Sequence, residues 1–367
     1  MKKPISFLSG PVMISSKVSK AFRQNAISHR SFEFSKLLNE LQSKLKIITK
    51  AKYSTLMMGS GSLANEAIAA NLSTLENEFG LIISNGEFGE RIINQATRHN
   101  LKFHSLKKNW GKVFDYHEIA EILLKKKNDW IWFVQCETST GMINDLEKIL
   151  TIANKTNIKV CVDCVSSIGI YQLDLSKIYL ASASSNKGLE SLAGIAIVLH
   201  NHHPKPQNTI PQYLDIGFYH AKNCIPFTFS SNLINALNAS LELMLQKDKI
   251  AKIKKLNDDL VKFLEHQEIK IVINEKVKSC AITTVEFNQV KQAEKLGEFL
   301  NSKGVLVHYQ NSYLKERNWL QIAFFSSYIK FSDLKKLKNL ILKFRNSDNT
   351  YTRLRITTVR FRPLQAE

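Results

Sequence analysis

The sequence predicts an α/β protein, with a mainly parallel sheet in a large domain and a smaller α+β domain at the C-terminal end. Three observations carry this. Short apolar runs alternate with stretches of helical apolar spacing over the first two hundred residues. After a long helical region the order changes to β-β-α-β-β-α. The length of 367 residues also exceeds what one ordinary core accommodates.

In the first part, strands are expected at residues 53–58, 80–84, 130–136, 159–165, 180–183 and 193–200, where the apolar runs are short and near-continuous. Helical spacing recurs over 63–75, 89–99, 115–124 and 146–156. Pro204, Pro206 and Pro211 make residues 202–211 an irregular connection. A helix is expected over 232–267. The C-terminal pattern places strands at 270–272, 279–287, 305–308 and 319–325, and helices at 292–303 and 331–344. The division expected is an arm over 1–20, a large domain over 21–245, a small domain over 246–345 and a basic tail over 346–367.

The composition, 44% hydrophobic and 23% charged, is that of a globular chain. No run approaches the roughly 20 apolar residues that cross a bilayer. The start Met1-Lys2-Lys3-Pro4 is basic, but Ser9, Gly10 and Pro11 interrupt the apolar run behind it, so no secretory signal is expected. A cytoplasmic location follows. Lysine and arginine exceed aspartate and glutamate by 51 − 32 = 19. The basic residues are scattered, and only Arg353, Arg355, Arg360 and Arg362 concentrate, in the tail. Solvated lysine-rich faces explain this better than a nucleic-acid surface. Cys161 and Cys164 have a redox or zinc spacing, yet they lie on an expected strand, where residues three apart face opposite sides. Reduced core cysteines are expected, and no metal site.

The chemistry is sought beyond the carboxyl ends of the strands, where open α/β sheets bind ligands. Residues 53–58 run into Gly59-Ser60-Gly61-Ser62 and a helix, a turn whose free N–H groups suit a phosphate monoester or serve simply as a turn. Asp163 closes the 159–165 strand, as a turn residue or as the partner of a protonated pyridine nitrogen such as that of pyridoxal phosphate (PLP). The next strand ends in Ser184-Ser185-Asn186-Lys187-Gly188. A lysine crowded there by small residues is desolvated and becomes a nucleophile.

Together these features resemble the class V aminotransferases of PLP fold type I, from about residue 7 to residue 345. Phe7-Leu8-Ser9-Gly10-Pro11 resembles the family's N-terminal Gly-Pro segment, and His29-Arg30-Ser31-Phe32-Glu33-Phe34 its His-Arg helix start. Asn85-Gly86-Glu87-Phe88-Gly89-Glu90-Arg91 resembles the turn whose aromatic stacks on the cofactor ring. Glu137-Thr138-Ser139-Thr140-Gly141, Asp163 through Gly169, and Ser185-Asn186-Lys187-Gly188 complete the series. The resemblance is nearest to the 2-aminoethylphosphonate–pyruvate and alanine(serine)–glyoxylate transaminases. It implies Lys187 as the Schiff-base lysine, Asp163 as the pyridinium partner, and Phe88 as the stacking ring. Ser60, Gly61 and Ser62 would hold the phosphate, the Thr138 and Ser139 hydroxyls would lie near the ring oxygen, and Asn186 would flank the lysine. It implies a homodimer in which Thr228 or Ser230 reaches the partner's phosphate.

One departure stands out. Gln321, in Trp319-Leu320-Gln321-Ile322-Ala323, occupies the place of an arginine that pairs with substrate carboxylate, and a neutral amide replaces a charged fork. Arg317 is the nearby candidate to compensate, or a surface turn residue. The implied activity is transfer of an amino group from a small amine or amino acid to a small keto acid such as pyruvate or glyoxylate. A PLP lyase or desulfurase, or a diverged relative without transaminase activity, is the alternative; Asn186, where desulfurases have histidine, counts against the desulfurase.

Overall fold

The computed structural model describes residues 4–125, 128–155, 157–246, 248–273 and 275–347. Its framework is a seven-stranded sheet of β1 (Tyr53–Gly59), β2 (Gly80–Ser84), β3 (Phe103–Lys107), β4 (Trp130–Val134), β5 (Lys159–Asp163), β6 (Leu180–Ser184) and β7 (Gly194–His200). The spatial order is β1-β7-β6-β5-β4-β2-β3. All neighbours are parallel except β7, which runs antiparallel to both β1 and β6. The carboxyl ends of β1, β2, β4, β5 and β6 therefore lie along one edge.

The strands read as apolar runs because both faces are covered. Along β4, Ile131 and Phe133 enter one core cluster while Trp130, Trp132 and Val134 enter the cluster on the other face. The same alternation separates the cysteines: Cys161 packs with the second cluster and Cys164, just past the end of β5, with the first. Both are free thiols, and among the described residues no group of three or more candidate ligands is placed to hold a metal. Serine and aspartate side chains start several flanking helices by accepting hydrogen bonds from otherwise unpaired N–H groups. Ser31 takes that of Phe34 at 3.2 Å and Asp145 that of Lys148 at 3.1 Å.

A second, three-stranded antiparallel sheet orders Lys270–Ile271, Ile282–Glu286 and Trp319–Ala323 and packs on the helices Gln292–Ser302 and Phe331–Ser347 around its own cluster. The short strand Val305–Leu306 leaves this sheet and pairs in parallel with Ile5–Ser6. Two expectations are corrected. The helix expected over 232–267 is two helices, Ser231–Gln246 and Ile250–His266, because apolar spacing continues across the break without marking it. Asn346 and Ser347 belong to the last helix rather than to a tail; the arginines from 353 onward lie outside the described residues. Strand β3 and the helix Ser312–Arg317 had no sequence counterpart, being short and largely exposed or mixed in character. Among the described residues no helix is long and apolar enough to cross a membrane.

Phe133 is fully buried in the centre of the large sheet. Phe133→Ala is expected to lower unfolding free energy by about 3–5 kcal/mol, read from the urea midpoint.

Candidate active site

Asp163 ends β5, and Lys187 stands three residues past β6, its neighbour in the sheet. Parallel pairing thus brings an acid and a base to adjacent strand ends. Asp163 is buried, and desolvation pushes its pKa up. Opposing this, its carboxylate accepts hydrogen bonds from the Asn65 side-chain amide at 2.7 Å and the Val165 N–H at 2.9 Å, and it feels the charge of Lys187. Lys187 is half-buried, with its amine deep enough that desolvation lowers its pKa, against the attraction of Asp163. Its Nζ donates to Ser166 Oγ at 2.9 Å, and Ser166 Oγ lies 3.4 Å from Thr138 Oγ1. The Phe88 ring centroid is 5.3 Å from Lys187 Nζ and 4.8 Å from Arg91 Cζ.

The turn carrying Phe88 is held by Glu137. Its buried carboxylate accepts N–H groups of Gly89 and Ser139, at 3.0 and 3.1 Å, and the Ser139 hydroxyl. Burial pushes Glu137 up, while these donors at the helix N-terminus favour its charge. Ser139 Oγ also accepts the Glu87 N–H at 3.0 Å. The Ser139 hydroxyl is therefore committed to fixing this turn, unlike that of Thr138, which faces Ser166.

Ser60 and Ser62 are exposed at the start of the helix Gly61–Leu72, directly beyond β1, where the first N–H groups lack intrahelical partners. Asn186 is half-buried beside Lys187. Thr228 is exposed and Ser230 Oγ accepts the Leu233 N–H at 3.3 Å, so both stand outside the hydrogen-bonded group around Lys187.

Gln321 is buried, with Nε2 within reach of the Thr138 and Ser139 carbonyls, at 2.6 and 2.9 Å, and of Thr284 Oγ1 at 2.9 Å. Its amide donors are spent on the protein. Arg317 is not a surface turn residue: it ends a helix, and its guanidinium lies 3.7 Å over the Trp110 ring and 5.7 Å from that of Trp319. Stacking on an aromatic face gives a weakly hydrated guanidinium a place that a turn does not.

Sequence reasoning missed Asn65 and His308, and gave Ser166 and Arg91, which lie within two of the motifs, no role of their own. His308 pairs through its backbone with Gln321, and its Nε2 accepts the Ser9 N–H at 3.0 Å, so the ring is neutral. Burial, then the charge of Lys187, pushes its pKa down to about 4. The contact draws the N-terminal segment over the lysine: a Cβ on Gly10, whose φ is +152°, would lie 3.3 Å from Lys187 Cγ. Asn65 sits one helical turn into the helix Gly61–Leu72, beside Glu66 and among several alanines, with nothing in the sequence to mark its partner.

A buried acid and base on adjacent strand ends, an aromatic face and a helix N-terminus at the same edge are the architecture of the PLP fold type I proteins. The structure of ureidoglycine–glyoxylate aminotransferase from Bacillus subtilis superposes with a TM-score of 0.83 at 21% identity, covering 94% of each chain, a likeness of fold. The chain belongs to the class V aminotransferase family, whose model, described as "Aminotransferase class-V", matches residues 14–309. An uncharacterized aminotransferase of Methanocaldococcus jannaschii is 27% identical over 318 residues, 82% of each protein. An L-aspartate–glyoxylate aminotransferase of Paracoccus denitrificans is 28% identical over 256 residues, 65% of this chain and 64% of the relative.

Gln321→Leu strands two buried carbonyls and is expected to cost about 1–3 kcal/mol in urea unfolding, with equal stability as the contrary result. The His308 pKa is lower in the folded protein than its ordinary 6.5, so its stabilising effect is complete above that pH and drains away as pH falls toward about 4. Between about pH 7 and about pH 4.5 the wild type should lose more unfolding free energy than His308→Gln.

Proposed function

We propose that this protein is a PLP-dependent aminotransferase that transfers an amino group from a small amine or amino acid to a small keto acid such as pyruvate or glyoxylate. It would act as a cytoplasmic homodimer. The observation that carries this reading is the pairing of buried Asp163 with a desolvated Lys187 at neighbouring strand ends. The family and its glyoxylate-using relative support it.

The donor set fits the cofactor. Asp163, kept ionisable by Asn65 and Val165 N–H, is an acceptor for a protonated ring nitrogen. Phe88 offers a ring face, and Ser60, Gly61 and Ser62 offer hydroxyls and N–H groups to a phosphate at a helix N-terminus. Thr228 or Ser230 of the second protomer would complete that phosphate site. When bound, PLP supplies an electron sink for charge developing at the substrate carbon. The protein supplies the base. Desolvation raises the neutral fraction of Lys187, which would hold the cofactor as a nucleophile and, once displaced from it by the substrate amine, would be the base for the proton on the amino-bearing carbon. Ser166, receiving the Lys187 hydrogen bond, holds that amine in place, and Thr138 orients Ser166. Ser139 acts instead through Glu137, by holding the turn that carries Phe88.

Gln321, with its donors engaged, leaves the substrate's anionic group to be met by another residue. This favours an amino donor other than the commonest α-amino acids. Purified protein should take up PLP with a visible absorption band, and Lys187→Ala should remove that band and amino transfer from a panel of alanine, serine and aminoethylphosphonate. A band of unchanged intensity in the variant would refute the role of Lys187. Ordinary rates with alanine and pyruvate would refute the restriction on substrate.

A further inference from the structure

The loop that carries Lys187 is gripped at successive carbonyls. Lys187 O accepts the Glu190 N–H at 2.9 Å, Leu189 O and Glu190 O accept the Ser240 hydroxyl at 2.6 and 3.2 Å, and Gly188 O accepts Lys249 Nζ. Gly188 has no slack of its own, since a Cβ there would fall 2.3 Å from Ile168 O. Lys249 is unusual among the lysines of this chain in being buried, its side chain 5% exposed. Its counter-ion is Glu190, 3.6 Å away and nearly as buried. The Glu190 carboxylate accepts in addition the backbone N–H of Ser327 and the Ser327 hydroxyl, the latter at 3.0 Å. Glu190 holds a φ of +51°, a conformation that a residue other than glycine keeps only where its surroundings hold it.

These groups come from three places. Glu190 follows Lys187 on the large sheet's edge, Lys249 immediately precedes the helix Ile250–His266, and Ser327 follows the last strand of the small sheet. An ammonium buried this way loses its hydration, and a well-packed apolar side chain commonly fits such a place without that cost. What an apolar side chain lacks is a donor for the Gly188 carbonyl.

We propose that Lys249, held by Glu190 and Ser327, is a positioning residue: by gripping the Gly188 carbonyl it sets the depth of the Lys187 amine and ties it to the small sheet. This rests on Lys187 being the reactive lysine. The groups acting electrostatically on Lys187 are Asp163, Cys136 and Glu137, which favour its charged form, and Arg91, which opposes it; the neighbouring His308 ring is neutral. Burial nevertheless dominates, so a loop released toward water lets the Lys187 pKa climb back toward the ordinary lysine value.

The test is competitive labelling of the full-length, cofactor-stripped protein with acetic anhydride across a pH series, with acetylation of Lys187 quantified by peptide mass spectrometry. The Lys187 titration midpoint is expected to rise by about one unit in Lys249→Met. It should rise by a smaller amount in Ser327→Ala and stay near the wild-type value in Lys249→Arg, which keeps a donor. A role limited to stability would lower the urea midpoint and leave the titration where it was. An unchanged Lys187 midpoint in both Lys249→Met and Ser327→Ala overturns the proposal; if Lys249→Met does not fold, Ser327→Ala decides it alone. Wild-type protein that fails to take up PLP, yet shows the expected shifts, would sink the cofactor reading and leave the clamp standing.

Discussion

The site depends on holding an acid and a base out of water at one edge of a sheet. Desolvation acts against the charged form of each, so neither could remain there alone at modest cost. Their attraction for each other, two hydrogen bonds to Asp163 and one from Lys187 to Ser166 make the arrangement tenable. The opposing influences are a burial that pushes the Asp163 carboxyl up against donors that favour its charge, and an amine that gives up its proton more readily than a solvated lysine.

Parallel pairing of β5 and β6 supplies the proximity, and the remainder of the molecule supplies the aim. Glu137 fixes the turn that presents Phe88, while Gln321, from the small sheet, fastens the Thr138 and Ser139 carbonyls. His308, next to Gln321, fastens Ser9 and so draws the N-terminal segment over Lys187. The two sheets thus meet at the site through buried polar contacts, which are specific in direction where apolar packing is not. A neutral glutamine suits this task, since its donors match carbonyl oxygens without placing another cation beside Lys187.

Much of this was legible beforehand. Strands such as Trp130–Val134, buried on both faces, announce themselves as unbroken apolar runs, and Asp163 and Lys187 stand out as ionisable residues at the ends of two of them. The helix break between Gln246 and Ile250 was not legible, because apolar spacing persists on both sides and no proline or glycine marks it. Nor were Asn65 and His308, single polar residues whose partners are 98 and 299 positions away, and Ser166 was legible within its motif but not as the acceptor of the Lys187 hydrogen bond. Ser139 was legible as a member of the motif but not in its task, because only geometry shows that its hydroxyl turns toward Glu137 rather than toward Ser166.

By itself the sequence determined the α/β architecture and the family and singled out Asp163 and Lys187, since these follow from local periodicity and from short motifs whose residues are neighbours in the chain. Tertiary structure decided how Lys187 is held: which hydroxyl receives its hydrogen bond, which segment covers it, and that Lys249 and Glu190 meet beneath its loop. The reason is physical. Periodicity reports which side of an element is apolar, whereas the depth and partner of a buried polar group depend on contacts that exist only once distant segments have packed together.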